Sequence, residues 1–460
     1  MGTGARAGRH IARRAAVWLV AGGLAILALS DAPASSAGVA PPYPPSPVIT
    51  SLQWHEVVNL GTDNDNWPVT WADDDHVYTA GGDGDGFDGP RGNWICRVLG
   101  EPPALAGENI TRISTASGAA GTKGSGLLSI DGTLYLWARN ADGMGNHAQL
   151  GWSTDHGNTW TWGATFTRLG YPTFINFGRD YDGARDGFVY TVSHDDSSAY
   201  TPSDRFLLLR VPRESITDAG AWEYFAGTGG SGQPLWSADE SERAAVFTHV
   251  NGGEGRCARS GIAYHALLGR YLWWQQYPHD GGDVDTRFSG GFGVYDAPEP
   301  WGPWTTVYFT PDWDQGPGET GGFCTKYTST DGETLWLVYS GNDNLRLRRA
   351  TITFSAPATE VPVAELDRGG LVLERPAPNP TAGPARFGFR LPDRRAVRLS
   401  VRDVAGRTVR GLLDRVLPAG RHTAAWDGRA EDGGRTGAGV YFLHLESEGD
   451  VRVRRIVRRD

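Results

Sequence analysis

Apolar and polar positions alternate along most of the chain, in short runs broken by Gly, Asp and Asn. Residues 69–80 open the series, apolar and aromatic around the turn Asp73-Asp74-Asp75. Residues 126–138 carry Leu127-Leu128-Ser129-Ile130, the turn Asp131-Gly132, and a second run to Trp137. Residues 188–192 and 206–211 form a third cluster. A fourth is the hairpin 261–276, turning at Leu268-Gly269-Arg270 and continued by 291–295 and 304–309. Residues 325–329, the turn Asp331-Gly332, and the runs 335–339 and 345–353 make the last. Period-two alternation between turn residues predicts antiparallel strands. Five such clusters suit radial repetition, which hides sheet edges. The expectation is a five-bladed β-propeller over residues 50–354.

The pattern changes on both sides of that body. Residues 355–375 carry Pro and acidic residues and read as a linker. Residues 376–460 alternate again, at 385–391, 397–404, 407–413, 422–426, 439–445 and 451–457. They predict a small immunoglobulin-like β-sandwich. At the start, Arg6, Arg9, Arg13 and Arg14 precede the apolar run 15–29, and small residues fill 30–37. That order predicts a signal peptide over 1–37 and a secreted or cell-surface protein. The run is too short and too rich in small residues for a membrane span. No second long apolar run follows, so no span is expected in the mature chain. Pro41-Pro42-Tyr43-Pro44-Pro45 marks residues 38–49 as an extended linker.

Charge removes one class of partner. A net charge of −10 argues against nucleic acid. Cys96, Cys257 and Cys324 lie far apart and match no zinc spacing. They leave two readings open: one disulfide with a thiol over, or three buried small hydrophobes.

Ser153-Thr154-Asp155-His156-Gly157-Asn158-Thr159-Trp160 has the form S-x-D-x-G-x-T-W. It looks like the Asp-box of sialidase-type propellers. That resemblance implies a tight turn between two outer strands of a blade. The Asp would accept backbone N–H bonds, Gly157 would take positive φ, and Trp160 would pack into the blade. The box is a fold marker and carries no chemistry.

Two stretches carry further resemblances. In the C-terminal module they are Asn379-Pro380, 401–407, Leu417-Pro418-Ala419-Gly420, Trp426-Asp427-Gly428 and Gly439-Val440-Tyr441-Phe442. These resemble the immunoglobulin-like domain of flagellar hook-capping proteins, and equally the sorting domains of secreted bacterial proteins. The implied partner is secretion or cell-surface machinery. In the main body the segments are Asp65-Asn66-Trp67-Pro68-Val69-Thr70-Trp71, Gly81-Gly82-Asp83-Gly84, 260–265, 290–304, 318–323 and Tyr339-Ser340-Gly341. They resemble the domain-of-unknown-function 4185 family, glycoside hydrolase family 183, whose members are endo-D-arabinanases. Residues 295–304 also look like five-bladed arabinanases and xylosidases. The resemblance implies a polysaccharide substrate of arabinan type and no cofactor.

Glycosidic cleavage needs a proton for the leaving oxygen and a second carboxylate. Asp65 precedes the first strong strand and Asp83 ends the next, so one hairpin returns both to the same end of a blade. The glycines around Asp83 let a sugar approach closely. Glu319, in a Gly-rich loop before the last blade, is the third catalytic candidate. Lys123, Arg259 and Lys326 are candidates for tuning a carboxylate. Trp67, Trp71 and Trp273 are candidates for stacking on sugar, with packing between blades as the alternative for each. Asp83, Asp85 and Asp88 alternate with glycine, so a calcium loop or a plain acidic turn competes with catalysis there. No metal site is assigned. His194, His265 and His279 are scattered, and neither a G-x-S-x-G nor a phosphate loop occurs. A non-catalytic carbohydrate-binding propeller and a surface adhesin stand as rival readings.

Overall fold

The computed structural model describes residues 40–354, except 62, 231, 279–289, 316–317 and 330. It further describes 371–459, except 374–375, 377–378, 380, 404–406 and 448–449. The expected signal peptide and most of the expected linker 355–375 lie outside the described residues. The chain divides into two compact units, Met1–Pro357 and Ala358–Asp460.

The first unit is all β apart from single 3-10 turns, and its strands form five blades. From the inside outward, the first blade is Asp63–Trp71, Val77–Gly86, Gly92–Glu101 and Ala104–Ser114. The second is Lys123–Ile130, Thr133–Arg139, Ala148–Ser153 and Thr161–Phe166. The third is Thr173–Asn176, Phe188–His194, Arg205–Pro212 and Glu223–Thr228, extended outward by Pro234–Ser237. The fourth is Ser260–His265, Arg270–Tyr277, Gly291–Ala297 and Thr305–Thr310. The fifth is Gly318–Phe323, Thr334–Gly341 and Asn344–Phe354, completed by the N-terminal strand Ile49–Asn59. That last pairing closes the ring. It uses the first strand of the body to cover the edge that the last strand would otherwise expose.

Each innermost strand packs on the next around a common axis, and the first meets the fifth. The core therefore lies between blade faces. Ala72, Tyr78, Ala80 and Ile95 of the first blade meet Leu127, Leu134, Leu136 and Ala138 of the second. Trp67, Val77 and Val98 meet Trp336, Val338 and Leu347 of the fifth. Cys96, Cys257 and Cys324 are buried in this packing as free thiols, so the disulfide alternative is not realised.

The Asp-box segment turns between the two outer strands of the second blade. Asp155 accepts from the Thr159 N–H at 2.9 Å and from Ser153 Oγ at 2.7 Å. Gly157 has φ of 88°. Trp160 packs against the seam between the first two blades. Residues 43–46, expected as a spacer, instead dock on the outer edge of the fourth blade. Pro44 O and Ser46 N bond to Thr306, and the Tyr43 ring meets Phe247 and Tyr295. Proline suits an edge position because it has no N–H to donate.

The second unit is a sandwich. One sheet orders Val372–Leu373, Ala385–Leu391 and Gly420–Trp426. The other orders Thr408–Leu417, Arg395–Arg402, Gly439–Ser447 and Asp450–Arg458. Phe387, Phe389, Leu399, Trp426, Leu443 and Ile456 form its interior. Among the described residues no helix is long and apolar enough to cross a membrane.

Candidate active site

All five innermost strands begin on one face of the propeller, and each brings a polar side chain there. Asp65, Lys123 and Glu319 lie within the first residues of their strands. Arg259 directly precedes its strand and Tyr171 stands two residues before its own. The second strand of each blade runs back to that face. It returns Asp83, Arg139 and His194 behind the first ring. All but Asp83 are nearly or fully buried. Below them the innermost strands line a narrow space bordered by Trp67, Tyr171, Ser260 and Thr320.

Lys123 joins two of the predicted carboxylates. Its Nζ lies 3.8 Å from Asp65 Oδ2 and contacts Asp83 Oδ2 directly. The surroundings of the two acids differ. Asp65 is fully enclosed. Burial, then the charge of Glu319, pushes its carboxyl up to about 7, against the pull of Lys123 and Arg139. Asp83 is part exposed and accepts the Gly118 N–H at 3.1 and 3.2 Å. Its own N–H donates to Asn93 Oδ1 at 2.7 Å.

Glu319 is held by Arg259, with Nη1 2.6 Å from Oε2 and both side chains buried. Burial works against the Arg259 charge, yet Glu319, then Tyr171 and Asp65, hold the guanidinium above its ordinary value. Carboxylate oxygens of Asp65, Glu319 and Asp343 lie within 4.8 Å of one another. Lys123 and Arg259 already set positive charge against two of these. Asp83, Asp85 and Asp88, the calcium alternative, do not gather into such a group.

Local backbone serves these positions. Asn66, Trp67 and Asp83 all have positive φ, of 82°, 68° and 63°. Three non-glycine residues in that region mark a backbone over-determined by its surroundings, as at functional sites. Gly82 has a different reason: a Cβ there would stand 2.7 Å from Asp65 Oδ1 and 2.9 Å from Lys123 Cδ.

Three predicted residues are not brought here. Trp71 ends its strand on the opposite face, where its indole bonds Asp75 Oδ1 at 2.9 Å. Lys326 lies on that far face too, 3.6 Å from Asp75 Oδ2 and 3.4 Å from Glu101. Trp273 is fully buried between blades, 4.8 Å from Phe247 and 4.9 Å from Trp304 by ring centroids. Trp67 does reach the cavity wall but is 2 % exposed, its indole bonded to Asn64 O. His194 is buried, and burial holds its imidazole below the usual value. His265 caps a turn on the far side through Gly332 O. His279 lies outside the described residues.

Several site residues carry no sequence signal of their own. Arg139, fully buried, donates from Nη2 to Asn66 Oδ1 at 3.2 Å. The Asn66 amide bonds Asp65 Oδ1, and Tyr171 Oη donates to Asn66 Oδ1 at 3.1 Å. Arg139 is the cross-strand partner of Lys123. Hairpin counting from Lys123 was the signal that would have found it.

Comparison with known proteins adds the following. Residues 377–450 match the family described as FlgD Ig-like domain. No curated protein matches the chain. Among solved structures, a GH43_1 enzyme from Xanthomonas citri is similar at 15% identity, over 65% of this chain and 92% of that one, with a TM-score of 0.37. The alpha-L-arabinofuranosidase PaAbf62A from Podospora anserina gives 14%, 67%, 99% and 0.38. The alpha-L-arabinanase of Penicillium chrysogenum gives 10%, 65%, 98% and 0.38. Similarity at this level carries neither substrate nor site residues to this chain. Its C-terminal unit is an FlgD-type Ig-like domain, joined to a five-bladed propeller.

Proposed function

We propose that this chain is an exported glycoside hydrolase that cleaves within an arabinofuranan polysaccharide. One observation carries the reading. Asp65 and Asp83 share the buried Lys123 on one face of the propeller axis, Asp65 fully enclosed and its carboxyl raised, Asp83 part exposed. Pairs of this kind divide acid and base roles. Asp65, protonated up to about pH 7, is the proton donor to the leaving oxygen. Asp83, contacted by Lys123 and the Gly118 N–H, is the attacking carboxylate. Two oxygens held against one ammonium lie closer than the roughly 6.5–9.5 Å that an intervening water requires, which favours retention of anomeric configuration. Glu319, engaged by Arg259, supports Asp65 through its charge. The arabinose preference rests on the resemblance of the segments around Asp65, Asp83 and 290–304.

Asp65→Asn and Asp83→Asn should each lower kcat on D-arabinan by at least about a hundredfold, since a positioned proton-transfer group supplies about 10²–10⁴. Assay on a panel of furanoside and pyranoside polysaccharides, with melts to confirm folding, is the test. Full activity in the Asp83→Asn protein would end the assignment. Turnover abolished by Glu319→Gln alone, with a mild Asp83→Asn effect, would transfer the second role to Glu319.

A further inference from the structure

Tyr200 has no part in the chemistry above. It sits between Phe188–His194 and Arg205–Pro212, in the turn that emerges on the site face of the third blade. Its hydroxyl oxygen receives two donors, Arg139 Nη1 at 3.0 Å and Asn140 Nδ2 at 3.1 Å. Both donors are fixed. Arg139 is stacked between the Tyr171 and Tyr200 rings, 5.4 and 5.3 Å from their centroids. Asn140 is fully buried, and its amide shares its two protons among Tyr200 Oη, Gly118 O at 3.2 Å and Gly121 O at 2.9 Å. Gly118 is the residue whose N–H holds Asp83. The Tyr200 hydroxyl is thus linked to the attacking carboxylate through three contacts, by way of Asn140 and Gly118.

A phenol oxygen has one proton and accepts through its lone pairs. With two N–H donors already aimed at the oxygen, what remains to offer is the proton. Among the described residues no group accepts it. The side chain as a whole is half-buried. Against its burial, the charges of Arg139 and Lys123 hold the phenol below its ordinary value, which strengthens it as a donor.

We infer that Tyr200 contacts the substrate, donating its phenolic proton to an oxygen of the sugar seated against Asp83. This rests on the hydrolase reading and adds a specificity determinant to it. A site built to donate a hydrogen bond rejects an analogue that lacks the acceptor more strongly than an apolar wall rejects an extra group.

The test is Tyr200→Phe in the full chain, which removes the hydroxyl and keeps the ring on Arg139. On D-arabinan, kcat/KM should fall about tenfold, the effect of one hydrogen bond. The pH–rate profile should stay as in the wild type, while the melting temperature falls modestly because buried Arg139 and Asn140 lose an acceptor. Unchanged kcat/KM overturns the inference. A loss accompanied by a moved pH limb also overturns it, because Tyr200 then acts through Arg139 and Asn66 on Asp65. Asp83→Asn on the same substrate separates the two layers. If that variant is inactive and Tyr200→Phe is not impaired, only the inference about Tyr200 falls. If Asp83→Asn turns over normally, or the wild type cleaves no polymer of the panel, the hydrolase reading falls and takes Tyr200 with it.

Discussion

Asp65 and Asp83 have the same chemistry and different surroundings, and the difference has measurable consequences. Burial raises Asp65 to about 7, above the roughly 3.9 of a free aspartate. Between those values the folded chain holds a proton that the unfolded chain has released. The stabilisation is full below about pH 4 and is lost as pH rises through about 7. Asp65→Asn removes this titration. Its melting temperature should hold steady across that window and exceed the wild type's at pH 8. Activity should follow the same group in the wild type, declining above about pH 7 as the acid ionises. Glu319→Gln tests the second cause of the shift. It removes a charge that raises Asp65, so the alkaline limb should move to lower pH. It also leaves Arg259 buried without its partner, which costs about 3–5 kcal/mol in comparable pairs. Asp65, Lys123, Arg259 and Glu319 were legible in the sequence because each stands where a strand begins. Trp71 and Lys326 misled because a strand has two ends, and composition does not say which end faces the site. Arg139, Tyr171 and Tyr200 were missed because their roles come from partners on other blades.

At the scale of elements, turn chemistry was the most readable feature. Asp131-Gly132 takes positive φ at both residues, 52° and 72°, as a two-residue hairpin turn requires. The Asp-box bonds follow from the side chains that the segment carries. Thr159 first, then Ser153, holds the Asp155 carboxyl down at about 2. Asp155→Ala should lower the melting temperature while leaving kcat per folded molecule unchanged. The box lies between outer strands, away from the axis. Its carboxylate is depressed, so its contribution is present above about pH 4 and is lost as pH falls toward 2. What the sequence did not disclose is ring closure. The strand Ile49–Asn59 lies before the first cluster read from the sequence, at 69–80, and nothing local says that it pairs with Asn344–Phe354. The pairing is set by the need to cover the last edge, a property of the whole ring. Ile49 and Leu52 bury their side chains in the seam between the fourth and fifth blades. Ile49→Ala should therefore cost about 2–4 kcal/mol by denaturant melt, as for a core position. A surface value near zero would show that the ring closes without this strand.

At the scale of the molecule, the propeller contains its whole candidate site. Asp65, Asp83, Lys123, Tyr200, Arg259 and Glu319 all belong to Met1–Pro357, as do their partners named above. The sandwich has its own interior, built from Leu371 to Ile456 with no propeller residue in it. Two cores with a stretch of chain between them are expected to fold independently. Removing residues 376–460 should then leave kcat and KM on soluble D-arabinan within about twofold, well under the tenfold that each 1.36 kcal/mol at the transition state would produce. The melt of the truncated protein should keep the transition of the propeller and lose that of the sandwich. The result that refutes this is a large fall in kcat with the propeller transition intact, because the C-terminal unit would then supply part of the site. A fall confined to insoluble or cell-bound polymer would instead mark the unit as an attachment module. That outcome fits the FlgD-type match at 377–450 and leaves the assignment of the chemistry to the propeller.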